Sequence, residues 1–102
     1  MKFIAFDIGD KRIGVAVSDP FGTMALPLET YYRKNFEKDV KYLADLAKSR
    51  YADVIVCGLP LNFDGSESEQ TLKTKSFVEK SYLFIILLSY PVSLKPSKYS
   101  LP

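Results

Sequence analysis

The sequence predicts an α/β fold, in which three antiparallel strands form a meander, a fourth strand joins them in parallel, and helices pack on this mixed sheet. The segments follow the order β-β-β-α-β-α, and short turns join the first three apolar segments. The fourth strand segment follows a long amphipathic segment. The 102 residues, of which 47% are hydrophobic and 25% charged, suit one small globular domain.

The first three segments predict the meander. Residues 2–8 are apolar apart from Asp7, which is typical of a central strand. The turn at residues 9–12 leads into a second strand over residues 13–18, and so short a link indicates an antiparallel hairpin. Residues 23–31 form the third strand, and the proline at position 27 indicates that this strand lies at the edge of the sheet.

A helix is predicted over residues 36–50. Asn35 can cap its first turn, because a side-chain oxygen at that position accepts a hydrogen bond from an exposed amide. Glu37 and Asp39 lie near the positive end of the helix dipole. Apolar side chains recur at helical spacing and predict a buried stripe made of Phe36, Val40, Leu43, Ala44 and Ala47.

A strand, a loop and a second helix follow. Residues 54–57 are wholly apolar, and a strand that comes after a helix should run parallel to its neighbour. Residues 58–65 form a loop that is rich in glycine and proline. Ser66 and Glu69 match the capping box that would start a helix over about residues 67–80.

The composition excludes several kinds of site. The absence of histidine excludes a Ser-His triad and imidazole metal ligands. The single cysteine, Cys57, excludes a disulfide framework and is interpreted as a reduced core thiol. The net charge of +2 does not by itself indicate a nucleic-acid partner. Tyr31, Tyr32 and Tyr42 do not interleave with basic residues and are interpreted as core and surface side chains.

The chain is expected to be cytoplasmic and to have no membrane partner. No signal peptide is expected, because Asp7 interrupts the apolar stretch that follows Lys2. Its longest apolar run, residues 82–88, is far shorter than the roughly 20 residues needed to span a bilayer.

Asp7 is the main candidate for chemistry. If the strand at 54–57 pairs in parallel with the first strand, Asp7 and the loop after 57 face one crevice at the carboxyl ends of the strands. A carboxylate near the end of an apolar strand is costly unless something compensates it. Two interpretations stay open: Asp7 is a ligand of Mg²⁺ or Mn²⁺, or it accepts hydrogen bonds from the backbone amides of residues 9–12.

Two segments could contact phosphate. Residues 9–14 contain Lys11 and Arg12 and could hold a phosphate through backbone amides and cations, or could be an ordinary solvated turn. Residues 58–66 could run along a nucleic-acid backbone, or could only connect a strand to a helix. Asp64 in this loop could approach a metal ion at the first strand.

Three motifs resemble one family. Residues 5–19 (AFDIGDKRIGVAVSD) look like the opening strand pair, and residues 26–30 (LPLET) like the next strand, of RNase H-like proteins known as pre-16S rRNA nucleases or Holliday-junction-resolvase-like proteins. Residues 54–66 (VIVCGLPLNFDGS) resemble the second signature of that family. The resemblance covers about residues 1–80 and implies an RNase H-like mixed sheet.

The resemblance also implies a function. It implies a cytoplasmic, metal-dependent nuclease (a hydrolase) that processes the 5′ end of pre-16S rRNA in ribosome biogenesis, with Mg²⁺ or Mn²⁺ as cofactor. It implies that Asp7 is the catalytic and metal-binding carboxylate. The residues that would lie along the nucleic acid are Lys11, Arg12, Asn62 and Ser66. The substrate would be branched DNA instead of RNA if the protein is a Holliday-junction resolvase.

Residues 81–102 depart from the family pattern, so the fold is expected to be C-terminally incomplete. The family continues with an Asp-Glu-Arg-rich motif and a late aspartate, whereas this chain has no Asp or Glu after Glu79. Residues 1–80 are therefore expected to form the N-terminal portion of the nuclease domain, with little or no activity, because two-metal cleavage needs several carboxylates. The apolar run 82–88 is expected to form a fifth strand beside residues 54–57 rather than to continue the second helix or to form a dimer contact.

Two other classes of function are considered. The first is a non-catalytic module that binds RNA or a protein partner, which leaves open whether this chain is an enzyme. The second is an ATPase, because the Asp7-Ile8-Gly9 hairpin also resembles the phosphate loop of actin-like ATPases and sugar kinases. Those proteins need a second lobe, which 102 residues cannot hold.

Overall fold

The structure, a computed structural model, describes residues 1–87 and 92–97, with side chains described up to Ser81. Its elements in chain order are β1 (Phe3–Ile8), β2 (Arg12–Ser18), β3 (Ala25–Tyr32), α1 (Phe36–Ser49), β4 (Val54–Pro60), α2 (Glu69–Leu87) and β5 (Val92–Ser97). Within these residues, no helix is both long and apolar enough to cross a membrane.

The five strands form one mixed sheet in the order β3-β2-β1-β4-β5. β1 pairs antiparallel with β2 and parallel with β4, which confirms the predicted meander and parallel fourth strand. β3 lies at the edge, as Pro27 predicted. The register between β2 and β3 shifts between Val15 and Ala16, and Pro27 pairs with Ala16 beside this bulge. A bulge at an edge accommodates proline, which has no amide to donate to the sheet.

Both helices pack on the same face of the sheet. Ile4, Phe6 and Ile8 alternate along β1 and are at most 3% exposed. They share one core cluster with side chains from both helices: Val40, Leu43, Ala47, Phe77 and Val78. Because strand side chains alternate between faces, Asp7 lies on the opposite face of β1 and is half-buried there.

The first helix forms as predicted. The Asn35 side chain accepts a hydrogen bond from the amide of Lys38 at 2.9 Å, which caps the first turn. The predicted stripe faces the core, where Val40, Leu43, Ala44 and Ala47 are buried. Cys57 is 4% exposed, and burial raises the pKa of its thiol to about 11, so it behaves as an unreactive core residue.

The predicted start of the second helix is wrong. Ser66 does not cap it, because Glu67 forms an antiparallel bridge with Leu61 and is therefore extended. The capping residue is Ser68, whose side-chain oxygen accepts from the amide of Thr71 at 3.2 Å. The Thr71 hydroxyl in turn accepts from the amide of Ser68 at 2.9 Å, so the capping box is reciprocal but begins two residues later.

The prediction for the apolar tail is also wrong in its placement. Residues 82–87 continue α2 instead of forming a strand, and β5 lies farther along the chain, where it pairs in parallel with β4. No glycine or proline stands between Gly65 and Pro91 to end the helix early. Leu88, the last residue of the predicted strand, lies outside the described residues.

Candidate metal and nucleic-acid site at the end of β1

Asp7 lies near the carboxyl end of β1, on the face away from the two helices. Burial raises the pKa of its carboxyl group, and no hydrogen bond among the described residues reaches it. The predicted alternative, in which backbone amides of residues 9–12 donate hydrogen bonds to this carboxylate, is therefore wrong. The amide of Gly9 instead donates to the carbonyl of Arg12 at 3.0 Å. Asp7 is thus a half-buried carboxylate whose oxygens remain able to accept hydrogen bonds or to bind a metal ion.

The hairpin that follows Asp7 is tight and needs glycine. A Cβ atom on Gly9 would lie 2.7 Å from the carbonyl oxygen of Arg12, which is closer than backbone atoms tolerate. Lys11 and Arg12 are exposed at this hairpin, and no ion pair among the described residues involves either of them. Asp10 pairs with Lys73 of α2 at 3.2 Å. The hairpin that follows Asp7 therefore carries two exposed cations.

Two side chains from different elements hold the backbone just after Asp7. The Gln70 side-chain amide, from α2, donates to the carbonyl of Ile8 at 2.9 Å. The Arg33 guanidinium, from the segment between β3 and α1, donates to the carbonyl of Gly9 at 2.8 Å. Side chains from two other parts of the chain therefore hold the consecutive carbonyls of Ile8 and Gly9.

Arg33 is itself held by a buried carboxylate, Asp39, which is 1% exposed. Asp39 accepts hydrogen bonds from the Arg33 guanidinium at 3.0 Å, the Tyr31 hydroxyl at 2.9 Å and the Lys34 amide at 2.9 Å. Burial alone would raise the pKa of Asp39, but these hydrogen bonds and the charge of Arg33 outweigh it and lower the pKa. The ionised carboxylate is thus the centre of a polar network that supports the hairpin.

The loop predicted over residues 58–65 is wrong at its start, because residues 58–60 belong to β4 and pair with β5. Residues 61–66 satisfy their own polar groups. The Asn62 side chain donates to the Ser66 hydroxyl at 3.0 Å, and the Ser66 hydroxyl donates to Asp64 at 2.6 Å. The bonds from the Ser66 hydroxyl and amide lower the pKa of Asp64. The loop turns at Gly65, whose φ is +85°. The structure therefore shows Asn62 and Ser66 together in an exposed turn, in which Asn62 donates to Ser66 and Ser66 donates to Asp64.

Comparison with known proteins shows the family. The family model described as "RuvX: Holliday junction resolvase" matches residues 1–90. The chain belongs to the RuvX family. A protein of Fusobacterium nucleatum named "Putative pre-16S rRNA nuclease" is 46% identical over 79 residues, which make up 78% of this chain and 56% of that protein. A Rhodopseudomonas palustris protein of the same name is 41% identical over 99 residues, which make up 97% of this chain and 60% of that protein.

Two further facts follow from these matches. The chain spans little more than half the length of these RuvX-family relatives. The similarity also extends beyond residue 80, to which the resemblance in the sequence was limited. Among solved structures, RuvC of Thermus thermophilus in complex with a Holliday junction gives a TM-score of 0.65 at 10% identity, over 94% of this chain and 64% of that chain. That likeness confirms the RNase H-like fold.

The described residues of this RuvX-family chain do not make up a metal site by themselves. Asp7 has the chemistry of one ligand, because hard divalent cations prefer carboxylate oxygen. The parts of the chain that the structure describes contain no group of three or more Cys, Asp or Glu side chains placed to hold one ion. Asp10 and Asp64 are engaged by Lys73 and Ser66, respectively.

Sequence reasoning missed Arg33, Asp39 and Gln70. Asp39 was interpreted only as a partner of the helix dipole, although its position lies three residues after Phe36 and four before Leu43. That spacing puts it on the apolar stripe of α1, where a carboxylate must find a partner. Gln70 carries no comparable signal, because its contact with β1 crosses 62 residues of sequence.

Replacing Gln70 with leucine is expected to loosen the hairpin. The carbonyl of Ile8 would lose the bond from Gln70, while the Thr74 hydroxyl lies at a weak 3.5 Å, so unfolding should become easier by about 1 kcal/mol. Amide hydrogen exchange at Gly9 should speed up, because its bond to Arg12 closes the turn. Glu69→Gln, on the exposed side of the same helix turn, is the matched control. Unchanged exchange at Gly9 in the Gln70 variant would contradict this assignment.

Proposed function

We propose that this chain acts on nucleic-acid phosphodiesters in the cytoplasm, in the processing of pre-16S rRNA, and that Asp7 supplies a metal-binding carboxylate with Mg²⁺ or Mn²⁺ as cofactor. The supporting observation is the state of Asp7: half-buried, without a hydrogen bond among the described residues, and adjacent to a hairpin held by two other elements. The RuvX family match and the names of the relatives support the substrate class.

The direction of the Asp7 pKa agrees with a functional rather than a structural role. A carboxylate whose pKa is raised by burial destabilises the fold when it is ionised, so Asp7 weakens the fold at neutral pH. Its favourable contribution is fully present below the ordinary aspartate value of 3.8 and is lost as the pH rises through the raised value. Residues that cost stability without making contacts are typical of binding and catalytic sites.

Lys11, Arg12, Asn62 and Ser66 would contact the nucleic acid in this proposal. Lys11 and Arg12 supply cations beside Asp7, and the exposed turn with Asn62 and Ser66 supplies amide and hydroxyl groups. Phosphate contacts of this kind position a substrate without reading its sequence.

The 102-residue chain alone should cleave its nucleic-acid substrate slowly. Two-metal cleavage places two cations about 3.5–4 Å apart, and several carboxylates are needed to offset their repulsion. Asp7 offers one carboxylate, and the described residues add no cluster to it. This observation also favours a second candidate function, in which the chain binds RNA without cutting it.

The test compares Asp7→Asn with Asp10→Asn, which removes a carboxylate from the same hairpin. Manganese binding, followed by electron paramagnetic resonance, should weaken at least tenfold in the Asp7 variant and change less than twofold in the Asp10 variant. Asp7→Asn should be at least as stable as the parent at pH 7, which excludes unfolding as the cause. Equal losses in both variants would contradict the role of Asp7.

Cleavage assays separate the remaining possibilities. Metal-dependent cutting of a pre-16S rRNA fragment by the parent chain, lost in Asp7→Asn, would support the nuclease function and overturn the slow turnover proposed here. RNA binding without cutting in both proteins would support the non-catalytic candidate. Preferential binding of a four-way DNA junction over the RNA fragment would point instead to a resolvase.

A further inference from the structure

A cleft of about 260 Å³ lies between the edge strand β3 and helix α1. Its lining residues are Tyr31, Lys34, Lys38, Lys41, Tyr42 and Asp45. Lys38 and Lys41 are three residues apart on α1 and so lie on one side of the helix, whereas Lys34 lies in the segment just before the helix. Sequence reasoning had found no basic and aromatic interleaving around these tyrosines, but the fold brings the two kinds of side chain together.

The side chains that line the cleft carry a net positive charge, with three lysines and one aspartate. None of the ion pairs among the described residues involves Lys34, Lys38 or Lys41, and Asp45 is the one acidic residue among the lining side chains. A second cleft, of about 320 Å³, also contains three cations: Arg33, Lys73 and Lys80. Two of those already bind carboxylates, because Arg33 pairs with Asp39 and Lys73 with Asp10. The first cleft is therefore the stronger site for an anion.

The aromatic wall of the cleft is held in place. Tyr31 and Tyr42 stack with their ring centroids 4.3 Å apart and an interplanar angle of 15°. The hydroxyl of Tyr31 donates to Asp39 at 2.9 Å, and that of Tyr42 donates to Glu29 at 2.7 Å. Because stacking and hydrogen bonds already fix these two tyrosine side chains, a ligand that binds against them costs little conformational entropy, which favours affinity.

The cleft continues the basic surface of the hairpin. The amide of Arg33 donates to the carbonyl of Lys11 at 2.9 Å, and Arg12 pairs with Tyr32 across β2 and β3. Lys34 is therefore the next exposed cation along the surface after the hairpin. Lys38 and Lys41 extend the positive surface along α1 by about 4.5 Å, at 1.5 Å per residue.

We propose that the cleft lined by Lys34, Lys38, Lys41 and Tyr42 binds the phosphodiester backbone of a nucleic-acid strand that also contacts Lys11 and Arg12. This proposal rests on the proposed function and adds a second contact surface to it, on α1. Lysine ammonium groups act as compact charges on phosphate and carry no base specificity, so this surface should lengthen the bound segment without adding sequence preference.

The test measures how salt weakens RNA binding. Each lost phosphate contact reduces the slope of log affinity against log salt by about 0.7 for a single strand. The triple variant K34Q/K38Q/K41Q should therefore lower the slope by about 2, so that between 50 and 200 mM salt the parent loses about 20-fold more affinity than the variant does. Single-stranded RNA of about 20 nucleotides is the probe, and metal is left out.

The matched control removes three cations elsewhere. K2Q/K48Q/R50Q changes the net charge by the same amount and changes no lining residue of the cleft. This control should keep the slope of the parent. An equal fall in slope for both triple variants, or no fall in either, would overturn the proposal. Binding of polyglutamate that responds to the cleft variant when RNA binding does not would overturn it in favour of an acidic protein partner.

The result is independent of the proposed catalytic role. The measurement is repeated in the Asp7→Asn background without metal, where no cutting is possible. A slope that responds to the cleft lysines in that background supports the cleft even if Asp7 proves not to bind metal. If the salt slope does not change when the cleft lysines are replaced, the proposal that the cleft binds nucleic acid is overturned, even if the nuclease function of the hairpin is established.

Discussion

Replacing Asp39 with asparagine is expected to lower the free energy of unfolding by about 3 kcal/mol, at the lower end of what breaking a buried ion pair costs. The change removes the charge that holds Arg33 and weakens acceptance from the Tyr31 hydroxyl and the Lys34 amide. The lower end applies because the Arg33 side chain is 24% exposed and can regain some hydration. Small domains have only about 5–15 kcal/mol of stability, so urea denaturation should show a large shift of the midpoint.

The stability of the parent should depend on pH through the same group. Because the pKa of Asp39 is lowered in the folded state, its contribution is present above the ordinary value of 3.8 and is lost as the pH falls through the lowered folded value. The difference between parent and Asp39→Asn should therefore shrink as the pH drops below about 3.8. Asp45→Asn, an exposed change on the same helix, should stay within about 0.5 kcal/mol of the parent. A loss below 1 kcal/mol for Asp39→Asn would contradict its central role.

Replacing Phe77 with alanine is expected to cost about 3–5 kcal/mol of unfolding free energy, because it opens a cavity in the core. Phe77 is 8% exposed and belongs to the core cluster on the helical face of the sheet. Its ring meets Phe36 edge-on at 5.6 Å and lies 4.9 Å below the Arg33 guanidinium. The variant therefore also loses a cation–π contact that supports the side chain holding Gly9.

The controls for Phe77 separate core packing from helix effects. Leu72→Ala lies on the same helix but at a position that is 58% exposed, so it should change stability by less than about 0.5 kcal/mol. Phe77→Leu keeps most of the apolar volume and should recover more than half of the loss. Equal effects of Leu72→Ala and Phe77→Ala on the urea midpoint would show that helix propensity, not the core, explains the result.

Local sequence patterns were sufficient to predict most of the fold. Alternating apolar residues and short turns predicted the antiparallel meander, and the apolar stripe with Asn35 predicted α1 within one residue of its observed end. The wholly apolar segment after α1 predicted the parallel strand β4. These features depend on neighbours a few residues apart, which is why one sequence can reveal them.

The predictions that failed had two locally acceptable answers. Ser66 and Ser68 both stand three residues before a side chain that can return a hydrogen bond, and the bridge between Leu61 and Glu67 decided between them. Residues 82–87 contain side chains that fit either a strand or a helix, and the absence of a breaker kept them in α2. Only at Ser66 and Ser68 did a longer-range contact, the bridge between Leu61 and Glu67, settle the choice.

The sequence by itself determined the order of the elements, the place of Asp7 at the end of a central strand, and the family motifs. Only the tertiary structure decided what surrounds them: the Asp39 network, the contact of Gln70 with Ile8, and the lysine and tyrosine cleft on α1. The physical reason is distance along the chain. Secondary structure follows from interactions between near neighbours, whereas buried charge pairs and surface clefts join residues that no local pattern relates.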